Sequence, residues 1–174
     1  MNSPYPIHWP SFFTATIQQW KPLLTECRFK DIIVESLQFL VKENRIVLNA
    51  FVIMNNHFHL IWQPLQPYTP TEIQSALLKF TSMRMKAVLE KEDPELLSAF
   101  KVNKVDRHYQ FWKRESLGIE LFTPAVFYQK LDYIHSNPLR AGLCTHVEEY
   151  YYSSAKFYQS GGRLDDFGML SHYM

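Results

Sequence analysis

Cysteine is scarce in this chain of 174 residues: only Cys27 and Cys144 are present. Two cysteines so far apart make neither a disulfide framework nor a metal-binding spacing, so a reducing cytoplasm is the expected compartment. Long apolar runs are absent, and none approaches the length that spans a bilayer. The first residues carry Pro4, Pro6, His8 and Pro10 rather than a basic segment and an apolar core, so a signal peptide is not expected. Internal repeats and low-complexity segments are lacking. Excess charge is lacking too: the formal net charge is +1, which neither demands nor excludes a nucleic-acid partner.

What is present is material for a core. Hydrophobic residues make up 47% of the chain and aromatics 16%. That composition excludes disordered and collagen-like classes and suits one domain over residues 1–174. Residues 1–10 form a Pro-rich lead-in, and residues 159–174 are expected to pack loosely or form a mobile arm. Charge is unevenly spread. Residues 79–114 hold nine Lys/Arg against five Asp/Glu, whereas residues 115–174 hold four against seven. The basic stretch is the better candidate for phosphate contacts, and it also suits a solvated helix face.

Phe12 to Trp20 is rich in β-branched and aromatic residues and predicts a first strand. Asp31 to Lys42 carries Ile32, Ile33, Leu37, Phe39, Leu40 and Val41, a helical stripe. Arg45 to Met54 predicts a second strand. Asn55-Asn56 suits a two-residue hairpin turn into a third strand, His57 to Gln63. Thr69-Pro70-Thr71-Glu72 combines an N-cap, a proline at the first helical position and a glutamate three residues after the cap. It opens a helix to about residue 92, with a short second helix over 94–100. Tyr109 to Lys113 predicts a fourth strand, with residues 114–117 ambiguous. Thr123-Pro124 opens a last helix, expected to stop or kink near Asn137-Pro138. The order predicts an α+β fold of the ferredoxin-like split βαβ kind: a four-stranded antiparallel sheet with helices packed on one face.

The run Phe51-Val52-Ile53-Met54-Asn55-Asn56-His57-Phe58-His59-Leu60-Ile61-Trp62 organises the functional reading. Alternation on a strand puts His57 and His59 on one face and Phe58, Leu60 and Trp62 on the other, the buried one. Two adjacent imidazoles are a natural pair of metal ligands, and they are equally two solvent-facing histidines on a half-buried strand. In the last helix Tyr133 and Asn137 are four apart and share a face. A tyrosine hydroxyl is a poor nucleophile at neutral pH, since its pKa is about 10, and a nearby divalent metal helps by polarising the electrophile. An Asn amide oxygen is a hard ligand for Mg²⁺ or Mn²⁺. By spacing alone, Tyr133 also reads as an ordinary helix-surface residue and Asn137 as a cap before proline.

The run Tyr133-Ile134-His135-Ser136-Asn137-Pro138-Leu139-Arg140-Ala141-Gly142-Leu143 resembles the YIHxNPxxAGL signature of the REP-associated tyrosine transposases, relatives of the small single-strand transposases of the HUH superfamily. Phe51 to Ile61 resembles the HUH segment of the same family. Phe111-Trp112-Lys113-Arg114 and Tyr152-Ser153-Ser154-Ala155 are similar to further landmarks. The resemblance runs from about Phe12 to Tyr158.

It implies a protein that binds Mg²⁺ or Mn²⁺ and cuts single-stranded DNA near a hairpin. Tyr133 would match the nucleophile, leaving a 5′-phosphotyrosine and a free 3′-OH. His57 and His59 would match metal ligands. Asn137 would match the third, where transposases of mobile insertion sequences usually have Gln and the REP-associated branch usually has Asn. Basic groups and aromatic faces are the usual holders of a single strand, which nominates Lys79, Lys86, Trp112, Lys113, Arg114 and Arg140 as DNA contacts. Trp112 reads equally well as a core anchor, and His135, two residues from Tyr133, as structural. The expected partner is single-stranded or hairpin DNA, met by a monomer or a homodimer, with no membrane involved. Two other classes remain open: a domesticated protein that grips structured DNA without productive cleavage, and a metal hydrolase that uses water in place of Tyr133.

Overall fold

A computed structural model describes residues 8–114 and 117–173. Strand β1 spans Ser11–Thr16. Helix α1 (Cys27–Lys42) follows and buries Phe29, Ile32, Ile33, Leu37 and Leu40 on one stripe. Strands β2 (Ile46–Ile53) and β3 (His57–Pro64) form the predicted hairpin. Its two-residue turn is Asn55-Asn56, closed by the Met54 N–H donating to the His57 carbonyl at 2.8 Å. Helix α2 (Pro70–Glu92) begins at the Thr69 cap, whose hydroxyl accepts from the Glu72 N–H while the Glu72 side chain reaches back. A short helix α3 (Pro94–Ser98) leads into a small hairpin, β4 (Lys101–Lys104) and β5 (Arg107–Tyr109). Strand β6 (Leu117–Glu120), helix α4 (Pro124–Arg140) and a short helix α5 (Ala155–Gln159) complete the order.

The main sheet is four-stranded and antiparallel, in the order β2-β3-β1-β6. This is the expected split βαβ arrangement, with one reassignment. The fourth strand is not 109–113. Residues 107–109 pair in the separate hairpin, and Trp112 makes only an isolated bridge to Ile17. The edge position beside β1 goes to β6, whose LGIE sequence is short, holds a glycine and carries little strand signal. Residues 115–116 of the ambiguous stretch lie outside the described residues.

Helices cover both faces of the sheet rather than one. Phe13, Phe58, Leu60 and Trp62 pack with α1 and α2. Phe12, Ala50, Val52 and Ile61 pack with Phe127, Leu131 and Ile134 of α4. Alternation on β3 therefore has an apolar side chain on each face, and His59 shares its face with Ile61. On β2 a bulge at Asn49 shifts the register, so Leu48 faces α1 while Ala50 and Val52 face α4.

The C-terminal segment covers the outer edge of β2, which would otherwise be unpaired. Ser153 bridges to Val52, Leu170 bridges to Leu48, and the Ser171 N–H donates to the Leu48 carbonyl at 2.9 Å. Met169 is buried and Tyr173 stacks on Phe127, so the tail expected to be loose is packed. Helix α4 also runs through the predicted stop. Pro138 sits inside it and is buried, and the helix closes with the Ala141 N–H on the Asn137 carbonyl. Among the described residues no helix is long and apolar enough to cross a membrane.

Candidate active site

His57 opens β3 and His59 follows on the same face, their ring centroids 4.8 Å apart. Each ring is held through Nδ1. The His57 Nδ1–H donates to the Asn56 Oδ1 at 2.7 Å, and the Asn56 amide is oriented by its Nδ2 donating to the Trp20 carbonyl at 3.3 Å. The His59 Nδ1 is hydrogen-bonded to the Thr14 hydroxyl at 2.7 Å, across the β1–β3 ladder where Thr14 and His59 are paired. The His57 Nε2 therefore presents a lone pair, and the His59 Nε2 does so when the Thr14 hydroxyl accepts from Nδ1–H. The Nε2 of His59 is buried and has no protein partner.

A buried polar atom without a partner is costly unless something outside the protein supplies one. Both rings are kept neutral. Burial pushes His57 below the usual histidine range. His59 is only 5% exposed, and burial, then His57, Lys130 and Arg140 lower it to about 3. Two neutral imidazoles, anchored on the far nitrogen and open at Nε2, have the chemistry of a metal-ligand pair with its outer hydrogen bonds in place. Among the described residues no third His, Cys, Asp or Glu joins them. A further ligand must come from another residue type, water or substrate, and an Asn amide oxygen suits Mg²⁺ or Mn²⁺.

Helix α4 brings in the second half. Tyr133 is 39% exposed, and its ring meets His59 edge to face at 5.4 Å and Phe12 at 5.9 Å. Arg140 lies 4.6 Å from the Tyr133 ring centroid, and Lys130 lies 5.8 Å from it and 4.9 Å from that of Phe12. Lys130, Tyr133, Asn137 and Arg140 are spaced as one helical stripe, beside the stripe of Phe127, Leu131, Ile134 and Pro138 that is buried. Two cations flanking an accessible phenol make a place for an anion such as a phosphodiester.

The chain superposes on the structure of a REP-associated tyrosine transposase bound to a REP hairpin, with a TM-score of 0.64 at 14% identity, over 100% of this chain and 99% of that one. The fold is that of a REP-associated tyrosine transposase. A protein of Deinococcus radiodurans r1, provisionally assigned as a transposase, gives a TM-score of 0.49 at 13% identity over 77% of this chain and 94% of that one. No protein-family model matches the chain, and no curated protein matches it by sequence.

The residues nominated for DNA contact do not all gather here. Arg140 does. Lys79 and Lys86 lie on α2, which packs on the opposite face of the sheet, and Lys86 is paired with Glu90. Trp112 is a core residue. It is 5% exposed, its ring stands edge-on to Phe58 at 5.2 Å, and its Nε1–H donates to the Thr81 hydroxyl at 3.0 Å. Its faces are therefore not open to a base, which corrects that expectation in favour of the core anchor. Lys113 and Arg114 follow it at the surface. The Lys113 N–H donates to the Thr16 carbonyl, and Arg114 is 3.8 Å from Asp106. His135 points away from the pair, to the Ser154 hydroxyl at 2.9 Å, and burial lowers it to about 4.

Three participants escaped the sequence reading. Lys130 was within reach of it, being three residues before Tyr133. Thr14 needs the strand register, and Asn56 shows in the sequence only as a turn residue.

Proposed function

We propose that this chain is a metal-dependent endonuclease and strand transferase of the HUH type, acting on single-stranded DNA beside a hairpin through Tyr133. The observation that carries the reading is the unpartnered Nε2 of His59, next to His57 and edge-on to the Tyr133 ring. The fold shared with a transposase bound to a REP hairpin supports it.

His57 and His59 would hold Mg²⁺ or Mn²⁺ through Nε2, with Asn137 as the third protein ligand. When bound, such an ion polarises a phosphate oxygen and neutralises developing charge. The protein supplies the rest. Thr14 and Asn56 fix the two rings, so little reorganisation is needed when substrate arrives. Lys130 and Arg140 draw the scissile phosphate to the Tyr133 face and offset its charge. The Tyr133 oxygen bonds to phosphorus as the P–O3′ bond breaks. The phenolic proton goes to solvent and the departing 3′ oxygen takes one up, leaving a 5′-phosphotyrosine and a 3′-OH. A covalent ester retains the energy of the broken bond, so the strand can be rejoined without a nucleotide cofactor.

The test uses single-stranded hairpin DNA from the sequence flanking the gene, incubated with the protein and Mn²⁺ and run on a denaturing protein gel. A shifted band that is lost in Tyr133→Phe is expected. Hairpin binding with no band would favour a DNA-binding protein without cleavage. Cleavage that survives Tyr133→Phe would favour a hydrolase that uses water.

A further inference from the structure

Trp20 is the most exposed tryptophan among the described residues, at 62%. Its backbone is unusual. Gln19 and Trp20 are consecutive non-glycine residues at φ 57° and 53°, in the left-handed region that L side chains disfavour. Such backbone persists only where the surroundings impose it, and it gathers at functional sites. Here the surroundings are identifiable. The Gln18 N–H donates to the Phe111 carbonyl at 2.7 Å, the Lys113 N–H donates to the Thr16 carbonyl at 2.8 Å, and Ile17 bridges to Trp112. The Trp20 carbonyl accepts from the Asn56 Nδ2, the same amide that holds His57. A large apolar ring is thus held out into solvent by the frame that positions one of the two histidines.

The ring is not bare. The Lys113 ammonium lies 3.1 Å from its centroid, a cation–π contact. The surface around it is basic. Residues 101–114 hold Lys101, Lys104, Arg107, Lys113 and Arg114 against Asp106 alone, and Lys21 adjoins Trp20. The β4–β5 hairpin that carries three of these cations is tied toward Gln18 through Gln110, which contacts both Lys104 and Gln18. An exposed aromatic face set among lysines and arginines matches an unpaired nucleotide: the ring stacks the base and the cations take the phosphates.

We propose that Trp20 and Lys113 form a stacking platform for an unpaired base of single-stranded DNA, with the β4–β5 hairpin carrying the adjoining phosphates. This rests on the reading of the chain as a DNA-strand enzyme and extends it to a surface beside His57. The Asn56 link makes the surface continuous with the site: a strand stacked on Trp20 runs past the His57 edge toward Tyr133. Trp112, the tryptophan that the sequence nominated, is replaced in this role by the exposed ring seven residues before the start of α1.

The test measures binding of the full chain to a twelve-residue oligothymidylate and to a hairpin with a single-stranded flank. Trp20→Leu keeps an apolar side chain but removes the π-face, and Trp20→Phe restores one. Loss of one base stack weakens binding by about 5-fold to 150-fold, so that loss is expected for Trp20→Leu, with Trp20→Phe close to the parent. Lys113→Ala is expected to lower the salt dependence of binding by about one contact. Thermal unfolding of each variant establishes that it is folded, and Trp20→Gln, which also lacks an aromatic face, carries the test if Trp20→Leu is not. Parent-like affinity in folded Trp20→Leu, or loss equal in Trp20→Leu and Trp20→Phe, would overturn the platform while leaving the DNA reading intact. Failure of the parent chain to bind either DNA, with no covalent adduct, would overturn both.

Discussion

The rings of His59 and Tyr133 meet edge to face, 5.4 Å between centroids and 66° between planes, within a single chain. The two come from β3 and α4, which pack on each other through Ile61 and the Phe127, Leu131 and Ile134 stripe. Burial of that stripe is what places the tyrosine. Each such apolar side chain contributes about 1.5–3 kcal/mol when fully buried. The nucleophile candidate and the ligand candidates therefore need no partner subunit to meet.

The two histidines should separate function from stability. His57 is half-buried, so His57→Ala is expected to change stability by no more than about 1 kcal/mol while abolishing Mn²⁺-dependent cleavage. His59 is buried, stacks on Phe12 and is bonded to Thr14, so His59→Ala should cost about 1–3 kcal/mol as well. Urea unfolding and the DNA adduct gel check both. Full cleavage by folded His57→Ala would remove the metal site from the mechanism.

Trp112 gives the opposite pattern. Its indole fills the core against Phe58 and donates to buried Thr81. Trp112→Ala is expected to cost about 3–5 kcal/mol. Thr81→Val leaves the indole N–H unpaired and should cost about 1–3 kcal/mol. Neither change touches an exposed DNA-facing group, so DNA affinity in the folded fraction should match the parent. A drop in affinity with unchanged urea midpoint would return Trp112 to the binding surface.

Much of this site was legible because its signals are local. Alternation puts His57 and His59 together and the Asn55-Asn56 turn sets their strand, whereas four-residue spacing alone leaves Tyr133 and Asn137 as ordinary helix residues, and the resemblance of their run is what nominates them. What was hidden depended on long-range pairing. The fourth strand, Leu117–Glu120, is short and holds little β-preference, and it takes the edge only because β1 is there to pair with. Trp112 and Trp20 look alike in sequence, and only packing buries one and exposes the other. Pro138 reads as a helix stop, yet α4 passes through it: the proline is buried within the helix, and the turn beyond closes on the Asn137 and Pro138 carbonyls. The tail, rich in Tyr and Gly, gave no periodicity, and its order comes from pairing with the β2 edge.

Acid should destabilise the metal-free protein above the carboxylate range. His135 is held at about 4 by burial, against 6.5 when unfolded. Between those values the unfolded chain takes up a proton that the folded chain refuses, so stability is complete above about pH 6.5 and falls as the pH is lowered toward 4. From pH 7 to pH 5 the loss from this residue is about 2 kcal/mol, and His59, held at about 3, adds in the same direction. Urea midpoints in EDTA at the two pH values check it. His135→Gln is expected to flatten the fall by about the His135 share. An identical slope in that variant would show that His135 is not kept neutral by its surroundings.

Thr14 offers a test that leaves both ligand candidates in place. Its hydroxyl is the only hydrogen-bond partner of the His59 ring among the described residues, and by accepting from Nδ1–H it would leave Nε2 as the free lone pair that a metal needs. In Thr14→Val that proton is no longer held, and the tautomer with Nε2–H competes. Loss of such an outer hydrogen bond weakens metal affinity by about 10- to 100-fold. Thr14→Ser keeps the hydroxyl and should bind as the parent does. Calorimetric titration with Mn²⁺ distinguishes them, with thermal unfolding as the control for folding. Equal Mn²⁺ affinity in Thr14→Val and the parent would mean that His59 does not present Nε2 to the ion. The pairing of Thr14 with His59 across β1 and β3 would then be a strand contact and nothing more.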